Sequence, residues 1–406
     1  MTDLVSADRL TGDVAVRVRR LEATVIIAML SGLALSPRLW LSSGRSYPVS
    51  PISDWLPPVS FPWDYVWFCA LVALLTAALV SRARGGTLAA FVVMAAVLAL
   101  FDQARWQPWF YQYWLMLAAL VVCARSASGR GGSPALDICR LIVAAVYFWS
   151  GAQKLSLEFG ATVVPGLLAE AVDSRLLRQV FTTVGWAVPM IEMSIGIGLM
   201  TRRVRPAAAA AAVLMHLAVL GLLIPLRQNV VVWPWNVAMA AFGVLIWIDR
   251  GFNAADSWTG IGWHERLALV ALLVLFPALG WLGRWDAYPS FSLYSGRTAV
   301  GLLHLDGPSL ARFPASVQPL AEADPLGGFI LPLDRWSYAE LHVPPYPESR
   351  VYRRVARSVC ADQAQSEAVR LETLEPPGRL SREWSFSDLR CSQLTARHLS
   401  VEGTKP

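Results

Sequence analysis

The sequence predicts an all-α polytopic membrane bundle of about nine transmembrane helices, followed by a small α+β extracytoplasmic C-terminal domain. Three observations carry this. Hydrophobic residues make up 55% of the 406-residue chain and charged residues only 16%, a balance outside the ordinary soluble range. The apolar residues collect in long runs between residues 21 and 283, whereas 284–406 reads like a soluble sequence. The arginines behind the net charge of +6 sit largely in short loops beside those runs, where retention on the cytoplasmic side is their usual role. Nucleic acid is therefore not expected as a partner; the lipid bilayer is.

A spanning helix needs about 20 mostly apolar residues. Candidate spans lie at 21–41, 64–81, 87–101, 109–124, 138–155, 180–201, 206–226, 230–249 and 265–283. Arg17, Arg19 and Arg20 precede the first, and no small-residue cleavage site follows it, so it reads as a retained anchor behind a cytoplasmic segment, 1–20. The run 87–101 is short, and 206–226 opens with Pro206 and a polyalanine stretch suited to close packing. Arg82 and Arg84, Arg125 and Arg130, and Arg202, Arg203 and Arg205 fall on the same alternate loops as the N-terminal cluster. That side is expected to face the cytoplasm. An odd number of spans in the cytoplasmic (inner) membrane then delivers residues 284–406 to the extracytoplasmic side. An oxidising compartment there would let Cys360 and Cys391 form a disulfide. Cys69, Cys123 and Cys139 lie singly in or beside apolar runs and read as small hydrophobes. No metal-ligand spacing is present, and no metal is predicted.

Polar residues gather on the expected outer face. Asp102, Gln103, Arg105, Trp106, Gln107 and Trp109 crowd a tight loop, where Asp102 and Arg105 fit a structural pair and the aromatics fit either an interfacial belt or the wall of a pocket. A second cluster, Gln228-Asn229 through Trp233-Pro234-Trp235-Asn236, enters the eighth span from the same side, where Pro234 would leave a carbonyl free.

Lys154 is the most informative position. Only one other lysine occurs, Lys405 in the tail, and every other fixed cation is arginine. A desolvated ammonium can lose its proton whereas guanidinium stays charged, which marks Lys154 as a candidate base; the alternative is a snorkelling anchor. Glu192 and His216 fall near mid-membrane, where ionisable groups normally face a partner or a cavity. They fit either proton relay or a direct hydrogen bond between two neighbouring helices.

The stretch Tyr147-Phe148-x-x-Gly151-x-x-Lys154-Leu155 resembles the segment of vitamin K-dependent γ-glutamyl carboxylases that contains their proposed catalytic lysine, with Lys154 at the matching position. Pro189-x-x-Glu192-x-x-x-Gly196 is similar to the DoxX and MauE families of redox-associated membrane proteins, and residues 20–300 resemble the HTTM domain shared with the carboxylases. The carboxylase resemblance implies a quinone or hydroquinone pocket near Lys154, with Lys154, Glu192 and His216 as catalytic candidates. Aromatic walls from Trp149, Trp106 and Trp233 would suit a lipid-soluble quinone, with Arg105, Gln107, Trp235 and Asn236 as further cofactor-binding candidates. The C-terminal part is far shorter than the carboxylases' lumenal domain.

Beyond residue 284 the pattern predicts a strand over 298–305, a short helical stretch near 308–322, a strand over 337–343, a helix over 348–361 and a strand over 367–374. Arg350, Arg353, Arg354 and Arg357 recur on that helix as a solvated face, and 376–406 reads as partly disordered. Three functions fit: a quinone-using membrane enzyme with Lys154 as base, a DoxX/MauE-like accessory subunit of a redox or electron-transfer complex with a membrane or extracytoplasmic protein partner, or a noncatalytic scaffold.

Overall fold

The computed structural model describes residues 2–81, 84–125, 134–171, 174–247, 258, 261–362, 367–377 and 383–395. The chain opens with a long helix, α1 (Thr2–Leu35), and a short one, α2 (Pro37–Trp40). Leu21, Val25, Met29 and Leu33 recur every fourth residue on α1 and are fully buried, so this stripe faces the bundle. Next come α3 (Trp63–Val80), α4 (Arg84–Phe101), α5 (Pro108–Arg125) and α6 (Pro134–Gln153). Shorter elements follow, α7 (Val164–Ala171), α8 (Arg175–Gly185) and α9 (Val188–Met200), then α10 (Arg205–Leu223), α11 (Trp233–Leu245) and α12 (Trp263–Trp281). Each of the nine expected spans contains helix.

Among the described residues, five helices are long and apolar enough to cross a membrane: α3, α4, α6, α10 and α12. The pair α8 and α9, bent by 43°, makes a sixth if it is one broken span. The protein is an integral membrane protein. The run expected as one span over 180–201 is instead broken, because Pro189 has no N–H to extend the preceding helix and sits in the first turn of a new one. Pro234 likewise opens α11 rather than interrupting a span. The short run 87–101 gains length because α4 begins at Arg84.

At the centre lies α6, with 72% of its span buried against 17–28% for the other four long helices. Three bonds stitch its end to α12. Pro277 supplies no N–H to the carbonyl of Leu273, four residues earlier, and that oxygen accepts the Trp149 indole N–H at 2.8 Å. Gln153 donates to Pro277 O at 3.2 Å, and Trp281 donates back to Ala152 O at 3.1 Å.

The C-terminal domain is a five-stranded antiparallel sheet of β1 (Val300–Leu305), β2 (Glu322–Ala323), β3 (Phe329–Pro332), β4 (Arg370–Glu375) and β5 (Ser385–Arg390), ordered β2-β3-β1-β4-β5. Helices α13 (Gly307–Leu310), α14 (Leu333–Leu341), α15 (Ser349–Asp362) and α16 (Cys391–Thr395) complete it. Leu303, Leu331 and Leu371 meet across the three central strands with no exposed surface. A disulfide joins Cys360 on α15 to Cys391 on α16, with an S–S distance of 1.97 Å.

Several local expectations need correction here. The strand expected over 337–343 is helix α14, whose buried residues Leu333, Trp336, Ser337, Glu340 and Leu341 follow a helical rather than an alternating spacing. The helical stretch near 308–322 reduces to α13 and one 3₁₀ turn, Gln318–Leu320. The tail contributes β5 and α16; its remainder, 396–406, lies outside the described residues. The arginines of α15 are not simply a solvated face, since Arg350 pairs with Asp286 and donates to Gln103 Oε1, while Arg354 reaches Asp54 at 3.0 Å.

These contacts belong to a docking surface between the sheet domain and one end of the bundle. Its strongest member is buried Glu340, which accepts from the backbone N–H groups of Ser46 and Tyr47, from Ser46 Oγ at 2.6 Å and from the Trp336 indole at 3.1 Å. Asp102 does not pair with Arg105; it takes Arg45 at 2.5 Å and caps a 3₁₀ turn.

Two outcomes follow from this surface. Glu340→Ala leaves several buried donors unmet, and the expected cost of roughly 2–4 kcal/mol is read as a lower melting temperature and faster proteolysis of 41–62, with Glu340→Gln milder. Burial, and then the neighbouring Asp286 carboxylate, raise the Glu348 carboxyl to about 7 from its ordinary value of 4.5. A raised carboxyl favours folding most below the unfolded value, and that contribution is lost as pH climbs to the folded one. Glu348→Gln is therefore expected to flatten the fall in stability between pH 4.5 and about 7, measured by thermal melts across that window.

Candidate functional site

The site grows from the contact between α6 and α9. A Cβ added at Gly151 would lie 2.5 Å from Pro189 O, and one added at Gly196 would lie 2.8 Å from Ala144 O. The two helices thus touch backbone to backbone at both ends of their contact, which only glycine permits at these two positions. The same device recurs nearby, where a Cβ on Gly198 would meet the Ala208 methyl at 2.8 Å, so the polyalanine stretch of α10 also packs closely.

Tyr147, Ser150, Gly151 and Lys154 stand at i, i+3, i+4 and i+7 and share one face of α6 and its terminal turn. This stripe carries two polar clusters. In the first, Lys154 Nζ donates to Ser150 Oγ at 2.7 Å and to Glu192 Oε1 and Oε2 at 2.8 and 2.6 Å. Lys154 is 6% exposed and Glu192 8%, so this is a buried ion pair. An ammonium has three donors and here three acceptors surround it. The lysine neither snorkels into water nor stands free in a cavity.

In the second cluster, Tyr147 OH lies 2.7 Å from His216 Nε2, and His216 Nδ1 lies 2.8 Å from Asn236 Oδ1. Asn236 Nδ2 donates to Val232 O at 2.9 Å, so its oxygen is the acceptor facing the ring. Nδ1 therefore carries the proton and Nε2 accepts from Tyr147, the pattern of a neutral imidazole. The direct His216–Glu192 bond weighed from sequence is replaced by this chain, because Tyr147 occupies the facing position on α6.

The other expected ligand contacts are dispersed. Arg105 is buried and donates to the carbonyls of Leu39, Trp40 and Leu98, closing helix ends rather than facing a cavity. Gln107 donates to Ala104 O and, across the docking surface, to Pro344 O. Trp106 packs edge-on against Phe110, Tyr111 and Trp114. Trp233 donates to Gln228 O, and Trp235 to Gln112 Oε1. Asn236 joins His216, while Trp149, besides its bond to α12, lines an apolar groove of about 440 Å³ with Phe148, Gly196, Met200 and Leu273. Lys154 and Glu192 are not in that groove's lining. Sequence reasoning missed Ser150 and Tyr147 as partners, although the spacing of the stripe was the signal for both. Among the described residues no cluster of His, Cys, Asp or Glu is arranged to hold a metal ion.

Residues 132–224 match the family model of the methylamine utilisation protein MauE. The match runs from the start of α6 to the end of α10 and takes in Gly151, Lys154, Glu192, Gly196 and His216. No curated protein and no solved structure matches the chain. None of these comparisons returns the carboxylases or the HTTM domain that the sequence pattern resembles.

Breaking a buried pair from one side leaves an uncompensated charge, at a cost of roughly 3–5 kcal/mol, whereas replacing both partners with apolar groups is often neutral. Lys154→Met is accordingly expected to lower thermal stability sharply, and Lys154→Met/Glu192→Met to recover most of the loss, as measured by melting in detergent or nanodiscs.

Proposed function

We propose that this protein is an accessory membrane subunit of a redox system, acting through a protein partner rather than turning over substrate alone. The observation that carries the proposal is the MauE-family match, because it takes in Tyr147, Ser150, Lys154, Glu192 and His216, every member of the two polar clusters except Asn236. The chemistry of those clusters agrees. Lys154 is neutralised by Glu192, and the His216 ring has a partner at each nitrogen, so neither presents an idle base to a substrate. Such an arrangement serves to hold a helix pair in one geometry for another protein. In this reading the N-terminus is cytoplasmic and the sheet domain extracytoplasmic, where the Cys360–Cys391 disulfide suits an oxidising compartment.

A quinone-using enzyme is the second reading, favoured by the apolar groove beside Trp149, whose lining of apolar and aromatic side chains suits a lipid-soluble ring or chain. There Lys154 would be the base once Glu192 released it, with Glu192 and His216 relaying protons.

Purification from native membranes in mild detergent separates the two. The accessory role is expected to yield a stoichiometric redox protein alongside the chain, no hydroquinone oxidation by the chain alone, and near-normal partner activity for Lys154→Arg, which preserves the ion pair. A hydroquinone oxidase activity of the isolated chain, abolished by Lys154→Arg with normal membrane insertion, would establish the enzyme instead.

A further inference from the structure

Between the end of α6 and the start of α9 the chain makes a helical hairpin, α7 and α8, whose second helix is sharply two-sided. Leu176, Leu177, Val180 and Val184 project from one face of α8 and are 48–69% exposed, whereas Arg175, Arg178, Gln179 and Thr182 stand on the opposite face. That polar face looks across a cleft of about 640 Å³ at Pro165, Leu168 and Ala169 of α7. Gly160 and Gly185 close the base of the hairpin: a side chain at the first would strike the Trp186 ring, and a Cβ at the second would lie 2.5 Å from Val164.

Length sets the depth of this cleft in a bilayer. Helix α9 has 13 residues, about 20 Å of helix against a hydrocarbon core of about 30 Å, so it does not cross alone. The 11 residues of α8, bent from α9 by 43°, add about 12 Å along the same direction and complete the crossing. The exposed leucines and valines of α8 then face acyl chains. Its far end, with Arg175 and Arg178 in the first turn, arrives at the level of the lipid phosphates. Among the described residues neither guanidinium has a hydrogen-bond or ion-pair partner, and no carboxylate lines the cleft. Arg175 is exposed and Arg178 half-buried, so both are within reach of a ligand.

We propose that the cleft between α7 and α8 holds the headgroup of an anionic bilayer phospholipid, its phosphate gripped by Arg175 and Arg178, its glycerol esters beside Gln179 and Thr182, and an acyl chain along Pro165 and Leu168. The guanidinium fork matches phosphate geometry, and hydrogen bonds between ionised partners are the strong ones. An acyl chain alone in the cleft would leave two charges facing hydrocarbon. Raising the hairpin clear of the bilayer would instead put the apolar face of α8 into water. A zwitterionic headgroup brings a cation of its own, for which the described lining offers no carboxylate. Occupancy would steady the bend that precedes Glu192 on α9.

The test is native mass spectrometry of the full chain in mild detergent, titrated with phosphatidylglycerol or phosphatidylcholine carrying the same acyl chains. A saturable site for one phosphatidylglycerol per chain is expected, at least about tenfold tighter than for phosphatidylcholine. Excess inorganic phosphate, which lacks the acyl chain, is expected not to displace the lipid. Arg175→Gln/Arg178→Gln is expected to erase the preference, whereas Arg202→Gln/Arg203→Gln, which removes two exposed arginines from the turn between α9 and α10, leaves it intact. The variants are compared at melting temperatures matching the unsubstituted chain, and the comparison of the two lipids needs no variant. Equal binding of both lipids, no saturable site, displacement by inorganic phosphate, full preference in well-folded Arg175→Gln/Arg178→Gln, or an equal loss in the Arg202 and Arg203 variant would each overturn the proposal.

Discussion

The molecule is organised by one constraint: two helices must approach until their backbones touch. Gly151 and Gly196 permit that approach between α6 and α9, and the Lys154–Glu192 and Tyr147–His216 clusters lie along the same face of α6. At this separation the Lys154 ammonium, on the turn just past α6, reaches Glu192 on α9 without exposing either group. A buried pair of this kind adds little net stability over apolar packing, but each partner heavily penalises loss of the other. It therefore specifies which faces of the helices meet more than it strengthens their association. The three bonds that tie the end of α6 to α12 extend the same geometry outward, with Trp149 exploiting a carbonyl that Pro277 leaves open.

Helical spans were legible in the sequence because hydropathy reports directly on burial in lipid. All nine apolar runs contain helix, but among the described residues only five helices, or six with the bent α8–α9 pair, are long and apolar enough to cross a membrane; their reach was set by prolines whose effect depends on position, Pro189 and Pro234 starting helices rather than kinking them. The importance of Lys154 could be read from the scarcity of lysine, and Glu192 and His216 from the cost of charge in an apolar run. Who pairs with whom could not. Pairing is decided by the rotation and height of each helix: on one shared face Tyr147 takes His216, while Lys154, two turns further along, takes Ser150 and Glu192. The conspicuous loop residues misled for a related reason. Arg105 looked like a ligand because it is charged and flanked by aromatics, yet its five donors are what the carbonyls at several helix ends require.

The sheet domain shows the opposite balance. Its strands are short, its edge strands polar, and β2, β3 and β5 gave weak alternation, so only the central strands β1 and β4 and the helix α15 stood out in advance. What fixes the domain on the bundle is likewise a tertiary fact: one glutamate, Glu340, gathers two backbone amides and two side chains from segments almost 300 residues apart in the chain. That attachment closes over the ends of α5 and α11 and creates a cavity between them.

The central claim is that Lys154 and Glu192 form an ionised pair inside the protein. Infrared spectroscopy in lipid, with the Glu192→Gln spectrum subtracted, reports on that carboxyl directly. An ionised pair requires a carboxylate stretch in the unsubstituted protein that gives way to a carboxylic-acid C=O band in Lys154→Met. A carboxylic-acid band already present with Lys154 in place would contradict the account.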